Sequence, residues 1–525
     1  EVQERFPDLP PMSRPDDTQA RFRFFDSFTQ FVKNAATHQP FVLILDDVQW
    51  ADTPSLLLLQ FLAREIGDSP VLIIATCREL PLVPQSPLAE TVALLARTAG
   101  SQTLALRGLS ECEVARFIEL TVGSAPSAAA TTAVSQGTEG HPFFLTEVMR
   151  LLATEGKQSL LTSEATFTLP LPQGARHAII CHVQRVSDPC RQMLTTAAVL
   201  GREFDLTVLA RLHHAVPPSV LLTWIDEALA AHLIAPIAAT PRRYSFSHAL
   251  VREALYEALP LTRRVQLHHH VGLALEEVYR EAPEAPLAEL AHHFLIAVQG
   301  DGEVEKAVAY AKQAGDRALK LLAYEDAILQ YERALDALVR HPAPGVLSCE
   351  LHLALAYAHL KANNLPAAKA TYQRAAELAT RQHLPHHFAQ AVLGIAGPWL
   401  VLADTNAATA ALLAEALRII DPEQKSLRAE LLARLARESA FDTPERRADL
   451  SAQAVALARE ADDPRTLAHV LRYHHLTVWG PHNLSERLAW ATEIVHLAES
   501  IENRELAMLG RTLRLADLLE LGDIP

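Results

Sequence analysis

The acidic strand end at residues 41–52 reads FVLILDDVQWAD and decides how the first part of the chain folds. Its apolar run from Phe41 to Leu45 is typical of a strand buried on both faces of a sheet. Asp46 and Asp47 end that run. Because ligands of open α/β sheets bind beyond the carboxyl ends of the strands, two carboxylates here could hold Mg²⁺ through water, beside nucleotide phosphates. The alternative is a buried strand that ends in a polar turn.

Helices and further strands are predicted around this stretch. Residues 18–38 have helical spacing of their apolar side chains. Asp52 followed by Thr53 and Pro54 predicts a helix start, because Asp caps helices and proline suits the first turn. Two more apolar runs, at 71–76 and 103–106, are predicted strands. Strands that alternate with helices favour a parallel sheet.

The pattern becomes helical after Ser110. Residues 110–160 read as helices interrupted by GHPFF at 140–144, and residues 170–260 as short helices with a strand-like YSFSH at 244–248. From about residue 307, helix pairs recur with starts near 386, 425, 464 and 503, and a recurring helix pair predicts an α-solenoid of tetratricopeptide type. The alternative is one irregular helical domain.

The composition excludes several classes of protein. The net charge of −15 argues against a protein that coats nucleic acid or a membrane surface, and no apolar run approaches the ~18 residues of a membrane span. The five cysteines are scattered, which predicts reduced thiols in a cytoplasmic protein and no zinc site. Adjacent histidines recur, and we interpret them as solvated helix surface, since neighbours on a helix do not share a face. They are His268 to His270, His292 and His293, His386 and His387, and His474 and His475.

Five motifs stand at residues 43–52, 74–79, 140–145, 198–204 and 246–256. In this order they resemble the signal-transduction ATPases with numerous domains (STAND). The sequence is similar to the bacterial branch in which an AAA-type ATPase module precedes a winged-helix-like domain and tetratricopeptide repeats, often fused to a LuxR-type DNA-binding domain, a cyclase or a kinase. The motifs are LILDDVQWAD at 43–52, IATCRE at 74–79, GHPFFL at 140–145, AVLGREF at 198–204 and FSHALVREALY at 246–256.

The resemblance implies a fold class and a domain order. The expected fold is a partial α/β P-loop NTPase-type parallel sheet, followed by mostly α structure: a helical lid, a winged-helix-like domain and a repeat solenoid. The expected boundaries are 1–108 for a partial ATPase core without the phosphate-binding Walker A loop, 109–168 for the lid, 169–260 for the winged-helix-like domain, 261–304 for a helical linker and 305–525 for the repeats.

The family also implies roles for residues of the ATPase core. Asp46 matches the Walker B acid, aligned with Mg²⁺ through water, and Asp47 the residue that orients the attacking water. Arg78 matches the sensor arginine that reaches the γ-phosphate, which suits a forked, permanently charged side chain. Thr76 lies beside it at the strand end and is a candidate nucleotide contact. The alternative for Arg78 is a surface residue at the end of a strand.

Two further candidates lie in the predicted lid and winged-helix-like domain. Pro142 matches the Gly-x-Pro element that packs near the adenine, and His248 the histidine that touches the β-phosphate of ADP and locks the closed state. A histidine suits a state sensor because it donates a hydrogen bond and titrates near neutrality. The alternatives are a helix-starting proline and a packed histidine that caps the next helix.

The phosphate-binding sequence G-x-x-x-x-G-K-[ST] does not occur in these 525 residues. The expected reason is an N-terminally truncated fragment; natural loss is the other. We therefore expect this chain to bind ATP weakly and to be inactive, and its parent to be a slow ATPase.

The predicted function is a cytoplasmic switch that uses ATP, ADP and Mg²⁺. A protein or small-molecule inducer would bind the helical repeats, and the active form would self-associate. DNA would be contacted only through an output domain outside this chain, and no membrane contact is expected. The rival hypotheses are a non-catalytic repeat scaffold for protein–protein interaction with a degenerate ATPase module, and direct DNA binding by residues 170–260.

Overall fold

The described residues of the computed structural model are 20–77, 86–138, 140–154, 161, 183–237, 240, 242–280, 285–300, 302–341, 345–397, 407–439 and 443–522. The chain divides into two compact units, one made of residues 1–101 and 304–525 and the other of residues 102–303. The finer domain boundaries stay predictions.

The first unit begins with an α/β segment. Its elements are α1 (Ala20–His38), β1 (Phe41–Leu45), a 3-10 turn (Val48–Trp50), α2 (Thr53–Glu65), β2 (Val71–Ala75) and α3 (Pro87–Leu95). Strands β1 and β2 pair in parallel, with Phe41 opposite Val71 and Leu45 opposite Ala75. Asp52 caps α2 as predicted, because its carboxylate accepts a hydrogen bond of 2.7 Å from the N–H of Ser55.

One face of this strand pair is exposed, so the prediction of a strand buried on both faces is wrong over the described residues. Val42 and Ile44 of β1 lie on the same face as Leu72 and Ile74 of β2, and these side chains are 43–65% exposed. Side chains alternate between the two faces of a strand, and the opposite face is partly buried. The apolar run therefore predicted the strand correctly but not its environment.

The apolar run at residues 103–106 was predicted to be a third strand, and this prediction is wrong. Residues 101–110 have no regular structure, and Leu104 and Leu106 are almost fully exposed. A strand needs a neighbouring backbone to pair its N–H and C=O groups. The described part of the chain brings no such neighbour to this segment.

The second unit is mostly helical and contains a small antiparallel sheet in the order β3-β5-β4. Phe204 and Phe246 stand in this sheet and pack into a buried core with Met193, Leu209 and Ile225. The elements are α4 (Glu111–Val122), α5 (Ala128–Thr138), α6 (Pro142–Thr154), α7 (Asp188–Leu200), β3 (Glu203–Asp205), α8 (Leu206–Leu212), α9 (Pro218–Ala230), β4 (Ile234–Pro236), β5 (Arg243–Phe246), α10 (Ala249–Glu257), α11 (Leu261–Val278) and α12 (Leu287–Ala297).

The rest of the first unit is an array of helices in which each helix packs against the next one along the chain. They are α13 (Val304–Lys320), α14 (Tyr324–Arg340), α15 (Gly345–Lys361), α16 (Leu365–Arg381), α17 (Pro385–Ala396), α18 (Ala407–Ile419), α19 (Lys425–Glu438), α20 (Pro444–Glu460), α21 (Pro464–Thr477), α22 (Leu484–Ser500) and α23 (Arg504–Leu521). The four predicted pair starts coincide, within one residue, with the starts of α17, α19, α21 and α23. The predicted fold class, a small parallel sheet followed by mostly α structure with a repeat array, is confirmed.

Small residues allow these helices to approach closely. A Cβ atom added at Gly394 of α17 would lie 2.4 Å from the ring of Tyr372 in α16, so the tyrosine packs against the backbone of the next helix. Alanines such as Ala375, Ala389 and Ala391 are fully buried at the same interfaces. Each helix thus buries its face of small side chains against its neighbour, as in other solenoids.

The α/β segment packs on the first helices of the array. Arg21 of α1 reaches both carboxylate oxygens of Glu325 in α14, at 2.8 and 2.7 Å, and its guanidinium lies 5.2 Å from the ring centroid of Tyr324. Helix α2 also contacts α14. Both hydrogen bonds come from Nη1 of Arg21, and hydrogen bonds between charged groups are stronger than those between neutral ones, so this pair helps to hold α1 on the repeats.

Candidate functional site

Asp46, Asp47 and Thr76 meet at the carboxyl ends of β1 and β2. The Thr76 hydroxyl donates to Oδ1 of Asp46 at 2.5 Å and accepts from the N–H of Asp47 at 2.8 Å. The Thr76 backbone extends the pairing, since its N–H donates to the C=O of Leu45 and its C=O accepts from the N–H of Val48, both at 2.9 Å. One threonine from β2 therefore positions both acids that follow β1.

The chain reverses direction at Asp47, which has left-handed backbone angles of φ 57° and ψ 47°. Asp tolerates this conformation better than most residues. Its Oδ1 accepts a hydrogen bond of 2.8 Å from Nε2 of Gln49, a partner that the sequence analysis missed. Burial, and then the charge of Asp47, raise the pKa of the adjacent Cys77 thiol. The ring of Trp50 is 61% exposed and lies outside the core.

The remaining predicted site residues lie elsewhere in the chain. Arg78 falls outside the described residues. Pro142 and His248 belong to the second unit, whereas Asp46 and Thr76 belong to the first, and each is described within its own unit.

Pro142 is the first residue of α6 and follows a turn that only glycine fits. Gly140 has a φ of 67°, and its C=O accepts a hydrogen bond of 2.8 Å from the N–H of Leu109. A Cβ atom at Gly140 would lie 2.1 Å from the carbonyl oxygen of Leu109. The ring of His141 packs against Phe144, with centroids 4.7 Å apart. The motif thus has a structural role, because it joins the start of α6 to the segment before α4.

His248 is the residue that precedes α10. Its side chain is exposed and makes no capping hydrogen bond, and its C=O accepts from the N–H of Val251 at 3.1 Å. The alternative, a packed histidine whose side chain caps α10, is therefore wrong. The phosphate-contact role stays a prediction.

Known proteins match parts of this chain. Residues 2–74 match the family model described as an AAA ATPase domain. An uncharacterized protein of Rhizobium meliloti (strain 1021) is 26% identical over 303 residues, which is 57% of this chain. The matched region spans 28% of the length of that relative.

Two solved structures have a distant likeness. One is a signal-transduction ATPase with numerous domains and a tetratricopeptide-repeat sensor from Pyrococcus horikoshii, at 15% identity and a TM-score of 0.33, covering 100% of this chain and 88% of that chain. The other is the apo form of RapI, at 13% identity and a TM-score of 0.34, covering 49% of this chain and 98% of that chain. At these TM-scores neither structure supports an argument about function.

The donor set at the strand ends fits Mg²⁺. Asp46 is an exposed carboxylate and stands beside the hydroxyl of Thr76, and such oxygen atoms are the ligands that Mg²⁺ prefers. No group of three or more His, Cys, Asp or Glu side chains among the described residues could hold a metal ion. In proteins Mg²⁺ commonly keeps several waters and is bound by one or two carboxylates together with phosphates. No helix in the described residues is long and apolar enough to cross a membrane.

The interpretation of the adjacent histidines as solvated surface is wrong for four of them. His268, His293, His474 and His475 are all at least 92% buried. Packing buries one ring of the 268–270 triplet, one of the 292–293 pair and both of the 474–475 pair, whereas neither His386 nor His387 is buried. Sequence spacing alone gave no signal for this choice.

Replacement of Thr76 by valine is expected to uncouple the two acids while keeping the shape of the side chain. The N–H of Asp47 loses its acceptor, so its hydrogen exchange should accelerate about five-fold, the equivalent of one hydrogen bond of about 1 kcal/mol. Thr76→Ser keeps the hydroxyl and is the matched control. Unchanged exchange at Asp47 in the valine variant would contradict the assigned geometry.

Proposed function

We propose that this chain is the core of an ATP-binding signal-transduction switch of the STAND class, in which the nucleotide state gates a regulatory output and the helical repeats sense an inducer. The observation that carries the proposal is the match of residues 2–74 to the AAA ATPase domain. That region contains β1 and the acidic turn after it and reaches into β2. The output, whether DNA binding, cyclase or kinase, would lie in another part of the protein.

The proposed roles at the nucleotide follow from phosphate chemistry. Asp46 would hold Mg²⁺ through water, and Asp47 would orient the attacking water. Bound Mg²⁺ would neutralise charge on the phosphate oxygens, which with positioning is the main contribution to phosphoryl transfer. The hydrogen bonds of Thr76 support these roles because they fix the Asp46 carboxylate and the backbone of Asp47. Arg78, as a sensor of the γ-phosphate, belongs to the same proposal.

The lid and the winged-helix-like domain would distinguish the two nucleotides. Pro142 would pack near the adenine, and His248 would contact the β-phosphate of ADP. A switch requires that its two states differ in affinity for ADP and ATP, and contacts made in only one state supply that difference. Self-association of the ATP-bound form is part of this proposal.

The packing of α1 and α2 on α14 supports coupling to the repeats. Asp52 caps α2 only a few residues after the acidic turn. Burial, and then the charges of Asp52 and Glu325, raise the pKa of Asp326 in α14 to about 6. Burial is the largest of these causes. A movement of the acidic turn would therefore alter the position of Asp52, and with it the electrostatics of the first helix pair.

Nucleotide retention tests the proposal. We expect the complete protein encoded by the gene, purified without added nucleotide and then extracted with acid, to release ADP. Asp46→Asn should lower Mg²⁺-dependent ATP binding at least about ten-fold, because it removes the charge that holds the hydrated ion. Release of neither ATP nor ADP, and no binding of either by calorimetry, would overturn it. The 525-residue chain contains no phosphate-loop sequence, so it should bind Mg-ATP only weakly; a micromolar dissociation constant would contradict that expectation.

The second candidate function is a non-catalytic scaffold in which the repeats bind a protein partner. The observation that favours it is the helix array itself, which extends over residues 304–521 and buries its own small-residue interfaces. Retention of nucleotide by the natural gene product favours the switch. Partner binding that does not depend on nucleotide, with no nucleotide retained, favours the scaffold.

A further inference from the structure

Four arginines from three consecutive helices converge in the repeat array and form what we call the arginine cluster. They are Arg434 and Arg437 of α19, Arg447 of α20 and Arg472 of α21. Tyr473 joins two of them: the guanidinium carbons of Arg434 and Arg472 lie 5.2 and 4.9 Å from its ring centroid, and Nη1 of Arg434 donates to its hydroxyl at 3.1 Å.

The carboxylate of Glu438 lies within this cluster and pairs with Arg434. Nη2 of Arg434 lies 3.0 Å from Oε1 of Glu438, and both side chains are at least 92% buried. The same nitrogen donates to the C=O of Ala396 in α17. Arg434 therefore has a structural role, because it joins α19 to the end of α17.

The cluster contains buried donors that lack an acceptor. The Nε atoms of Arg434 and Arg447 have no hydrogen-bond partner among the described residues. Buried donors are normally paired, because loss of hydration without a new hydrogen bond is unfavourable. Arg434 is 4% exposed, whereas Arg437 and Arg447 are half-buried and can be reached from solvent.

The cluster also carries an excess of positive charge. Burial, and then the charge of Arg434, lower the pKa of Arg437, and Arg447 acts in the same direction against the opposing effect of Glu438. A guanidinium cannot relieve this repulsion by losing its proton near neutral pH. An anion at the cluster would relieve it, and the fork of donors on each arginine matches a carboxylate or a phosphate.

We propose that the arginine cluster binds a small ligand through an anionic group, either a carboxylate or a phosphate. Arg437 and Arg447 contact the anion from the solvent side, and Arg434 and Arg472 contribute positive charge from the buried side. The assignment of this ligand as the inducer of the switch rests on the proposed function. The binding itself needs only the repeat array.

Calorimetry with two probes tests the site. The 525-residue chain is titrated with inorganic phosphate and, separately, with citrate, at constant ionic strength set with chloride. We expect saturable binding of at least one probe at one site per chain. Arg437→Gln and Arg447→Gln should each weaken it about ten-fold or more, the effect of removing a hydrogen bond to a charged group.

Arg418→Gln, which changes an exposed arginine of α18, is the matched control and should leave the affinity unchanged. Arg437→Lys keeps the charge without the fork and should weaken binding less than Arg437→Gln. Binding of phosphate alone or of citrate alone identifies the anionic group.

The proposal is overturned if neither probe shows saturable binding. It is also overturned if Arg437→Gln and Arg447→Gln bind the probe with the same affinity as the control. Circular dichroism confirms that each variant keeps its helical content. Nucleotide retention is measured separately, so loss of the nucleotide switch and loss of the anion site give different results. If phosphate binds while the gene product retains no nucleotide, only the proposed function fails.

Discussion

Replacement of Asp517 by alanine should destabilise the last helices of the repeat array by about 3–5 kcal/mol, the usual cost of breaking a buried ion pair. Asp517 of α23, Arg487 of α22 and His475 of α21 have fully buried side chains. Oδ1 of Asp517 lies 3.2 Å from Nη1 of Arg487, and its Oδ2 lies 2.7 Å from Nε2 of His475. One carboxylate therefore joins three helices.

The size of this effect comes from what remains after the substitution. Arg487 stays buried over the ring of Trp479, 4.2 Å from its centroid, and keeps only the carboxylate of Glu520, which is 40% exposed. A buried guanidinium cannot become neutral, so the cost of its desolvation is no longer offset. His475 loses the partner of its Nε2 atom at the same time.

Hydrogen exchange measures the effect helix by helix, because helices of a repeat array can open locally. Protection of α21, α22 and α23 should fall in Asp517→Ala. Glu499→Ala is the matched control, since Glu499 pairs with Arg511 on the surface and such pairs contribute at most about 1 kcal/mol. Equal protection in the two variants would contradict the prediction.

The double variant Asp517→Leu with Arg487→Met separates charge from packing. Apolar side chains of similar volume often replace a buried ion pair with little loss of stability. The double variant should therefore be more stable than Asp517→Leu alone, which leaves the arginine charge buried. The coupling between the two sites should be about 1–3 kcal/mol, as found for residues in one network.

Acidification from pH 7.5 to pH 5 should destabilise the second unit through two buried histidines that join α11 and α12. Nδ1 of His268 lies 2.8 Å from Nδ1 of His293, and Nε2 of His268 lies 2.9 Å from the hydroxyl of Tyr256. In the bond between the rings, one nitrogen must donate and the other accept. Protonation of both rings would remove the acceptor and place two like charges together.

The direction of the pH effect follows from the pKa values. Burial, and then the nearby His292, Arg264 and Arg252, lower the pKa of His268 to about 3. Burial and His268 lower the pKa of His293 well below its ordinary value. Unfolded histidine titrates near about 6.5, so the stabilisation is complete above that pH and is lost progressively below it. Each ring contributes about 1.4 kcal/mol per pH unit, or about 2 kcal/mol between pH 6.5 and pH 5.

Hydrogen exchange in α11 and α12 at pH 7.5 and pH 5, corrected for the intrinsic exchange rates, measures this loss. His293→Leu removes one of the titrating rings, so its stability should depend less steeply on pH, although it is less stable at pH 7.5. His214→Gln changes an exposed histidine of the same unit and should keep the wild-type dependence. If His293→Leu shows the same steepness as wild type, the buried histidines do not carry the acid sensitivity.

The sequence by itself determined most of the secondary structure and the order of the elements, with the strand predicted at 103–106 as an exception. The starts of α17, α19, α21 and α23 agree with the predicted repeat because apolar periodicity and turn residues act over a few positions. The cap at Asp52 and the strand that ends at Leu45 were predicted for the same reason. Asp46 and Asp47 were recognised as a candidate site because they follow the carboxyl end of an apolar strand, where ligands of open α/β sheets bind.

Only the tertiary structure decided which side chains these elements bring together. The bond between Thr76 and Asp46 joins residues 30 positions apart, and that between His475 and Asp517 joins residues 42 apart. Spacing along a helix places neighbouring residues on different faces, but it does not say which face the next helix covers. The exposed face of β1, the buried histidines and the arginine cluster all depend on that choice, because burial is set by packing between elements distant in sequence.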